Sequence, residues 1–413
     1  MSSPGLVVVG TGLAGVAACE SARREGYTGS IILVGAESHL PYDRPPLSKE
    51  LLLGDAAPVV PTLRARDRFE ELNVEVWTDA PALGLDIESR TLKTSRGDLT
   101  YQNLLIACGA SSRELPKTAG IAGVHTLRTY SDAESIWKRM QSPARVVVIG
   151  AGFIGAEVAS AARSYGHPVT IVEAAPAPLT RSLGIEGGAL CADLHAHNGT
   201  ELILGVGVEE VLTEAEGTSV RAVRLTDGRV LDADLVVVGI GAVPSTRWLV
   251  DTEIALHPQD RGIECDATLA VLSTSGDPID GLWASGDVAH WPNSLFDKKM
   301  RLEHWASASE QGALAARNAV VDGSPTPYTT VPYFWSDWYG TRLQFVGTSD
   351  ADELLVQRRV DKTGGTVVLY RSGTRLTGVL TIGRPDLIMK YRRFVVQADS
   401  WRAGVDFGAD QCR

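Results

Sequence analysis

Gly150, Gly152 and Gly155 stand in the run Gly150-Ala151-Gly152-Phe153-Ile154-Gly155, after the apolar stretch Val146-Val147-Val148-Ile149 and before a helix-like segment. This spacing can bind a pyrophosphate. The first glycine permits a tight turn, the second lets phosphate approach the backbone, and the third lets the helix pack on the strand. The N–H groups at the helix start receive the negative charge. A second apolar run, Val169-Thr170-Ile171-Val172, ends in Glu173, placed to accept hydrogen bonds from an adenosine ribose. One GxGxxG is weak evidence, but the pattern recurs at Gly10-Thr11-Gly12-Leu13-Ala14-Gly15, where Ile31-Ile32-Leu33-Val34 leads to Glu37. Each acid lies about twenty residues beyond its turn, as the fingerprint requires. Two such units in one chain predict two dinucleotides, and FAD with NAD(P)H is the natural pair.

Both motifs need strand, turn, helix and strand, and the chain supplies them twice. Residues 1–113 read as the first nucleotide-binding unit, closed by the strand Leu104-Leu105-Ile106-Ala107 and the turn Cys108-Gly109-Ala110. Within it, alternating runs at 74–77 and 91–93 predict a small antiparallel excursion. Pro45 and Pro46 predict a short helix at Leu47. Residues 114–243 form the second unit, with a capping box expected at Ser131 and Glu134 and a helix near 187–197. It closes at Leu235-Val236-Val237-Val238-Gly239-Ile240-Gly241, mirroring the first unit. The chain then returns to the first unit over 244–325, through a strand ending in Gly286-Asp287 and a long helix over 301–321. From 326 the texture changes to aromatics and alternating strands at 343–347, 353–359, 366–370 and 376–382, with a last helix at 386–398. The expected class is α/β: two Rossmann-like dinucleotide-binding domains in a glutathione-reductase-like arrangement, plus a C-terminal α+β domain over 326–413.

Composition narrows the function. A formal charge of −11 over 413 residues argues against nucleic acid as a partner. No apolar run approaches the ~18 residues of a membrane span. The first strand begins almost at residue 1, so no leader and a cytoplasmic location are expected. Cys19, Cys108, Cys191, Cys265 and Cys412 are scattered singly, with no metal-ligand spacing and no disulfide framework.

Arg44-Pro45-Pro46-Leu47-Ser48-Lys49, the GxGxxGxE run from Gly150 to Glu157, Gly286-Asp287, Glu303-His304-Trp305 and Phe334-Trp335-Ser336-Asp337 together carry a resemblance. The chain resembles, over its whole length, the FAD- and NADH-dependent ferredoxin reductases of bacterial oxygenase systems. These include the putidaredoxin-reductase-like and biphenyl-dioxygenase ferredoxin-reductase-like enzymes, and apoptosis-inducing factor is a more distant relative. The resemblance implies noncovalent FAD held by Gly10, Gly12, Leu13, Ala14, Gly15, Glu37, Arg44, Pro45, Lys49, Ala80, Ala107, Gly109, Arg113, Asp287 and Trp305. It implies NADH held by Gly150, Gly152, Phe153, Ile154, Gly155, Glu157, Glu173, Arg181 and Gly241. Lys49, Glu157 and Trp305 are the implied catalytic residues, with Glu157 in the first helical turn pairing Lys49 beside the flavin. The implied acceptor is a 2Fe-2S ferredoxin of Rieske or adrenodoxin type feeding a cytochrome P450 or a ring-hydroxylating dioxygenase. Where the family has Ala-Thr-Gly this chain has Ala107-Cys108-Gly109, and Cys108 is expected to pack rather than react.

Two rivals share the fold. A disulfide reductase places a cysteine pair beside the flavin, and residues 38–52 contain no cysteine. An apoptosis-inducing-factor-like flavoprotein would act by binding; the short C-terminal domain disfavours it. Preference for NADH is expected because Glu173 would meet a 2′-phosphate and Ala174 and Ala175 offer no cation. The acidic chain needs a local basic rim for an acidic ferredoxin. Lys298, Lys299 and Arg301 are the first candidates, with Trp335 and Trp338 adding apolar contact; Lys390, Arg392 and Arg393 come next.

Overall fold

The computed structural model describes residues 5–215, 217–358, 365–397 and 400–411. The chain divides into two units: residues 1–43, 60–111 and 242–330, and residues 44–59, 112–241 and 331–413. The segment from Arg44 to Val59 therefore belongs with the second unit.

The first unit is built on a six-stranded sheet in the order Ala270–Leu272, Pro278–Ala284, Asn103–Ile106, Leu6–Val9, Ile31–Val34 and Val74–Trp77. Its central strand reads Leu-Val-Val-Val and is buried throughout, as expected of a parallel strand covered on both faces. The helix Leu13–Arg24 leaves its C-terminal end. The helix Trp305–Val320 crosses it where Gly312 stands: a Cβ there would lie 2.1 Å from the Ala14 carbonyl oxygen. Val74–Trp77 is a parallel edge strand of this sheet, whereas Thr91–Thr94 sits in a separate antiparallel sheet with Ala82–Asp86 and Gly97–Thr100. The expected excursion is thus half right. Its first run is apolar enough to join the core sheet.

The second unit repeats the plan with five strands, Glu201–Leu204, Val169–Glu173, Val146–Ile149, Leu235–Val238 and Val124–Thr126. The helix Phe153–Ser164 follows the central strand. The capping box is Thr129 with Asp132, opening the helix Tyr130–Met140, not Ser131 with Glu134. Either pairing fits the sequence rule, and the backbone turns two residues earlier. The helix expected near 187 begins at Thr180, with a non-helical break at Gly184. The 3-10 turn Pro45–Ser48 opens at the prolines. A five-stranded antiparallel sheet, ordered Tyr333–Trp338, Thr341–Gly347, Arg375–Ile382, Thr366–Ser372 and Glu353–Arg358, also lies in this unit. Arg359 and Ala398 fall outside the described residues, as does Cys412. Ile388–Val396 is not the final helix, since Trp401–Gln411 follows it. The long helix expected from 301 starts at Trp305, after the short strand Lys298–Met300.

Candidate functional site

The two glycine turns have the same local geometry. At Gly10, φ is +121°, and a Cβ would lie 2.2 Å from the Ala107 carbonyl oxygen; at Gly150, φ is +101°, and the distance to the Gly239 carbonyl oxygen would be 2.4 Å. Any side chain would push the central strand from its neighbour. The third glycines abut their own turns: a Cβ on Gly15 would sit 1.9 Å from the Gly10 oxygen, and on Gly155 2.1 Å from the Gly150 oxygen. The middle glycines are open, with nothing near Gly12 and only the Gly239 oxygen, 3.8 Å away, near Gly152. Neither Gly12 nor Gly152 caps its helix with a side chain, and neither helix has an acid in its first turn. Both helix starts thus present N–H groups and a positive dipole end to an anion. Leu13 and Ala14, like Phe153 and Ile154, are the first helical residues.

The acids after each turn differ in their partners. Glu173 accepts from Ala151 N at 2.7 Å and from Ala175 N at 2.8 Å, so its carboxylate is oriented by the turn it serves. Glu37 accepts a short hydrogen bond from the Tyr42 hydroxyl. In the first unit Ala80 N donates to the Gly35 oxygen at 2.8 Å and Ala107 N to the Val9 oxygen at 2.7 Å, and Gly109 has φ +66°. In the second, Arg113 N donates to the Gly241 oxygen at 2.9 Å. A Cβ on Gly241 would stand 3.6 Å from the Arg181 guanidinium, so those two residues adjoin.

Glu157 is the centre of a buried polar knot in the second unit. It lies in the second turn of its helix, not the first, and is 3% exposed. Lys49 Nζ stands 2.8 Å from Oε2, and the Ser48 hydroxyl donates to the same oxygen. Ser336 Oγ donates to Oε1 at 2.5 Å, and Asp337 N does so at 3.2 Å. A buried carboxylate is tolerable only when paired and bonded in this way. The sequence reading foresaw Lys49 but missed Ser48 and Ser336. Both lie inside motifs already singled out, yet 109 and 179 residues from Glu157. Arg44 donates to the Arg128 carbonyl oxygen, tying the Arg44–Lys49 stretch down.

In the first unit, Gly286 N donates to Gln311 Oε1 at 2.8 Å, which fixes the turn carrying Asp287. Arg301 Nη1 donates to the Asp287 carbonyl oxygen at 2.8 Å, and its guanidinium pairs with Asp260 at 2.7 Å and Glu303 at 2.8 Å. With a side chain only 5% exposed, Arg301 cannot serve as a docking cation. The same correction holds for Trp338, which is fully buried. Trp305 opens its helix at 41% exposure, its indole donating to Asp43 at 2.7 Å. Asp260 also bonds His290 at 2.9 Å, and the His257 and His290 rings stack at 4.2 Å and 8°. His257 Nδ1, 3.4 Å away, approaches the same Asp260 oxygen, and Asp260 is also paired with Arg301, so we read this cluster as a set of side chains that satisfy one another. Burial pushes the Cys108 thiol up to about 12, and its Sγ lies 3.3 Å from the Ser245 carbonyl oxygen. A thiol so protonated packs and does not attack.

A pyridine nucleotide-disulphide oxidoreductase family model matches residues 4–312, and a reductase C-terminal model matches 333–406. The chain belongs to this oxidoreductase family. It is 36% identical to rhodocoxin reductase of Rhodococcus erythropolis, over 94% of this chain and 89% of that protein. It is 34% identical to the ferredoxin–NAD(+) reductase component of the biphenyl dioxygenase system of Paraburkholderia xenovorans, over 89% of this chain and 86% of that protein. Among solved structures it matches putidaredoxin reductase in its covalent complex with putidaredoxin, at a TM-score of 0.87 and 30% identity over 96% of this chain and 94% of that one. The family uses FAD and NAD(H). The two uncapped glycine turns, each with an oriented acid, fit two pyrophosphate-linked nucleotides.

Proposed function

We propose that this chain is an NADH-dependent ferredoxin reductase. The carrying observation is the joint presence of two dinucleotide turns, the ion pair of Lys49 with the buried Glu157 and a C-terminal reductase domain in a chain whose described cysteines, Cys19, Cys108, Cys191 and Cys265, are all free. The family's name carries disulphide chemistry, but among the described residues there is no thiol pair with which to perform it. FAD, when bound, takes two electrons from NADH as hydride and releases them singly, which suits a one-electron iron–sulfur acceptor.

The chain's own residues would then act as follows. The turn at Gly10–Gly15 would hold the FAD pyrophosphate and Glu37 its ribose, with Ala80, Ala107, Gly109 and Arg113 lining the nucleotide and Asp287 accepting from the ribityl chain. Glu173 would accept from the NADH ribose while repelling a 2′-phosphate, with Arg181 and Gly241 beside it. Glu157 holds the Lys49 ammonium at one point, with Arg44 and Pro45 framing it. A fixed cation of this kind steadies negative charge without reorganising. The Trp305 indole, held by Asp43, would form a wall at the flavin edge. The ferredoxin would be of Rieske or adrenodoxin type and serve a cytochrome P450 or a ring-hydroxylating dioxygenase. Among the described residues no helix is long and apolar enough to cross a membrane, and a cytoplasmic location fits the reducing chemistry. The electron-transfer reading stands above the apoptosis-inducing-factor-like alternative, because relatives matched nearly end to end are oxygenase-system reductases.

Anaerobic mixing with NADH should bleach the flavin band, and adding a 2Fe-2S ferredoxin should then restore it while the ferredoxin is reduced. Acid precipitation should leave yellow FAD in the supernatant. Bleaching without transfer to any ferredoxin, or turnover with disulfides instead, would refute the assignment.

A further inference from the structure

The strand Tyr333–Trp338 buries alternate residues, Phe334, Ser336 and Trp338. Two of the three are large aromatics, and the third is a serine with no exposure at all. A hydroxyl buried among aromatics is costly unless its hydrogen bonds are made. Ser336 makes both kinds: it accepts from Trp338 Nε1 at 2.8 Å and donates to Glu157 Oε1 at 2.5 Å. The chain of bonds continues from Glu157 to Lys49 at 2.8 Å. Asp337 N adds a second bond from the same strand to the same oxygen. Each carboxylate oxygen thus has its own side of the knot. Oε2 takes Ser48 and Lys49, and Oε1 takes Ser336 and Asp337 N. With both oxygens bonded, the carboxylate plane cannot rotate without breaking a bond on one side.

We propose that Ser336 is a positioning residue for the Glu157–Lys49 pair, so that the C-terminal sheet, and not the nucleotide-binding elements alone, sets the direction in which Lys49 presents its charge. This rests on the reading of Lys49 and Glu157 given above. Without the Ser336 hydroxyl, Oε1 keeps only the longer bond from Asp337 N, and the Trp338 indole loses its acceptor. The carboxylate can then turn, and the lysine it holds loses its fixed place. Networks of this kind are apportioned cleanly only by double-mutant cycles.

The test uses the FAD-loaded protein as wild type, S336A, S336T, E157Q and the S336A/E157Q double variant. The first readout is the rate of flavin reduction by NADH in single turnover, separated from NADH affinity. The second is the rate at which Lys49 is acylated by an amine-directed reagent, followed by peptide mass spectrometry. We expect S336A to slow reduction by roughly tenfold and raise Lys49 acylation several-fold, with NADH affinity changed by less than about twofold. S336T, which keeps the hydroxyl, should recover most of the rate. In the E157Q background S336A should add less than about twofold, because the two residues act as one unit. Equal slowing in both backgrounds, or unchanged Lys49 acylation in S336A, would overturn the proposal. A wild-type protein that NADH does not reduce would overturn the reductase reading itself, and the proposal with it. If S336A does not fold, S336C in both backgrounds carries the same comparison with a weaker donor.

Discussion

The glycine turns at Gly10 and Gly150 are near copies: φ values of +121° and +101°, the same forbidden Cβ, the same open middle glycine. The acids that follow them are not copies. Glu173 is bonded to the backbone of its own turn at Ala151 and to Ala175, whereas Glu37 is bonded to a side chain, Tyr42. The glycine turn is a steric requirement, and sterics leave one solution. The orientation of a carboxylate is a hydrogen-bonding requirement, which several neighbours can meet. A duplicated motif therefore preserves the first closely and the second only in outcome.

The largest test of the comparison is the pair Gly10→Ala and Gly150→Ala. Both place a methyl group within 2.4 Å of a carbonyl oxygen just past the end of a neighbouring strand, and both should cost several kcal/mol through strain at a positive φ. The expected outcomes diverge in function. Gly10→Ala should abolish FAD retention, read as loss of the visible flavin spectrum after purification. Gly150→Ala should keep the flavin and lose reduction by NADH. A flavin-free Gly150→Ala protein would show that the two turns are not separable.

Next in size is the nucleotide preference. Glu173→Ala removes the carboxylate that a 2′-phosphate would meet. It should reduce the ratio of kcat/KM for NADH over NADPH by about tenfold to a hundredfold. Tyr42→Phe, which leaves Glu37 charged but removes the hydroxyl, should weaken FAD binding by no more than about tenfold, the worth of one hydrogen bond to a charged group. Equal effects on NADH and NADPH in Glu173→Ala would mean the acid orients the turn rather than reading the ribose.

The parts legible in the sequence were those set by local sterics and periodicity. Both glycine turns, both acids and both closing strands were readable because each is a short-range pattern. The capping box was misplaced by two residues because Thr129/Asp132 and Ser131/Glu134 fit one template equally well. The knot at Glu157 was only half readable: the lysine came with a motif, but Ser48 and Ser336 meet the carboxylate across more than a hundred residues of chain. Arg301 was misread for the same reason. A cation in a basic run looks exposed until the fold brings Asp260, 41 residues away, to it beside the nearby Glu303.

The second unit also buries a histidine, His195, and burial pushes it down to about 4. His195 Nδ1 bonds the Tyr339 hydroxyl at 2.9 Å, its ring packs on Trp338, and its Nε2 has no hydrogen-bond partner. A proton added there would be buried without a partner. The folded value lies below the unfolded one, so between about 6.5 and about 4 the unfolded chain binds more protons and stability falls as pH falls. His195 should contribute on the order of 3 kcal/mol to that loss. His195→Gln should flatten the fall between pH 6.5 and 4 in urea denaturation followed by circular dichroism. An unchanged slope would assign the acid sensitivity elsewhere.

The smallest effect is expected where the chain's charge meets its acceptor. Of the basic run at 298–301, Arg301 is buried between two carboxylates, and Lys299 is paired with Glu264 at 2.5 Å. Exposed pairs of this kind are weak, typically under about 1 kcal/mol, but the Glu264 carboxylate offsets part of the local positive field at Lys299. On the helix Ile388–Val396, Lys390 and Arg393 are exposed, and Arg393 lies over the Phe394 ring at 4.7 Å. Charge attraction mainly speeds encounter and is screened by salt. Reversing Lys298 and Lys299 should therefore raise the KM for ferredoxin by only about twofold at low salt, and by less at physiological ionic strength, while ferricyanide reduction stays unchanged. Reversing Lys390 and Arg393, both exposed on one helix, should have the larger effect of the two, although Asp386 lies close enough to Lys390 to feel its charge. If the first pair matters more despite Glu264, local charge counting is the wrong measure of this surface, and the field of the acidic chain as a whole must set the approach of the ferredoxin.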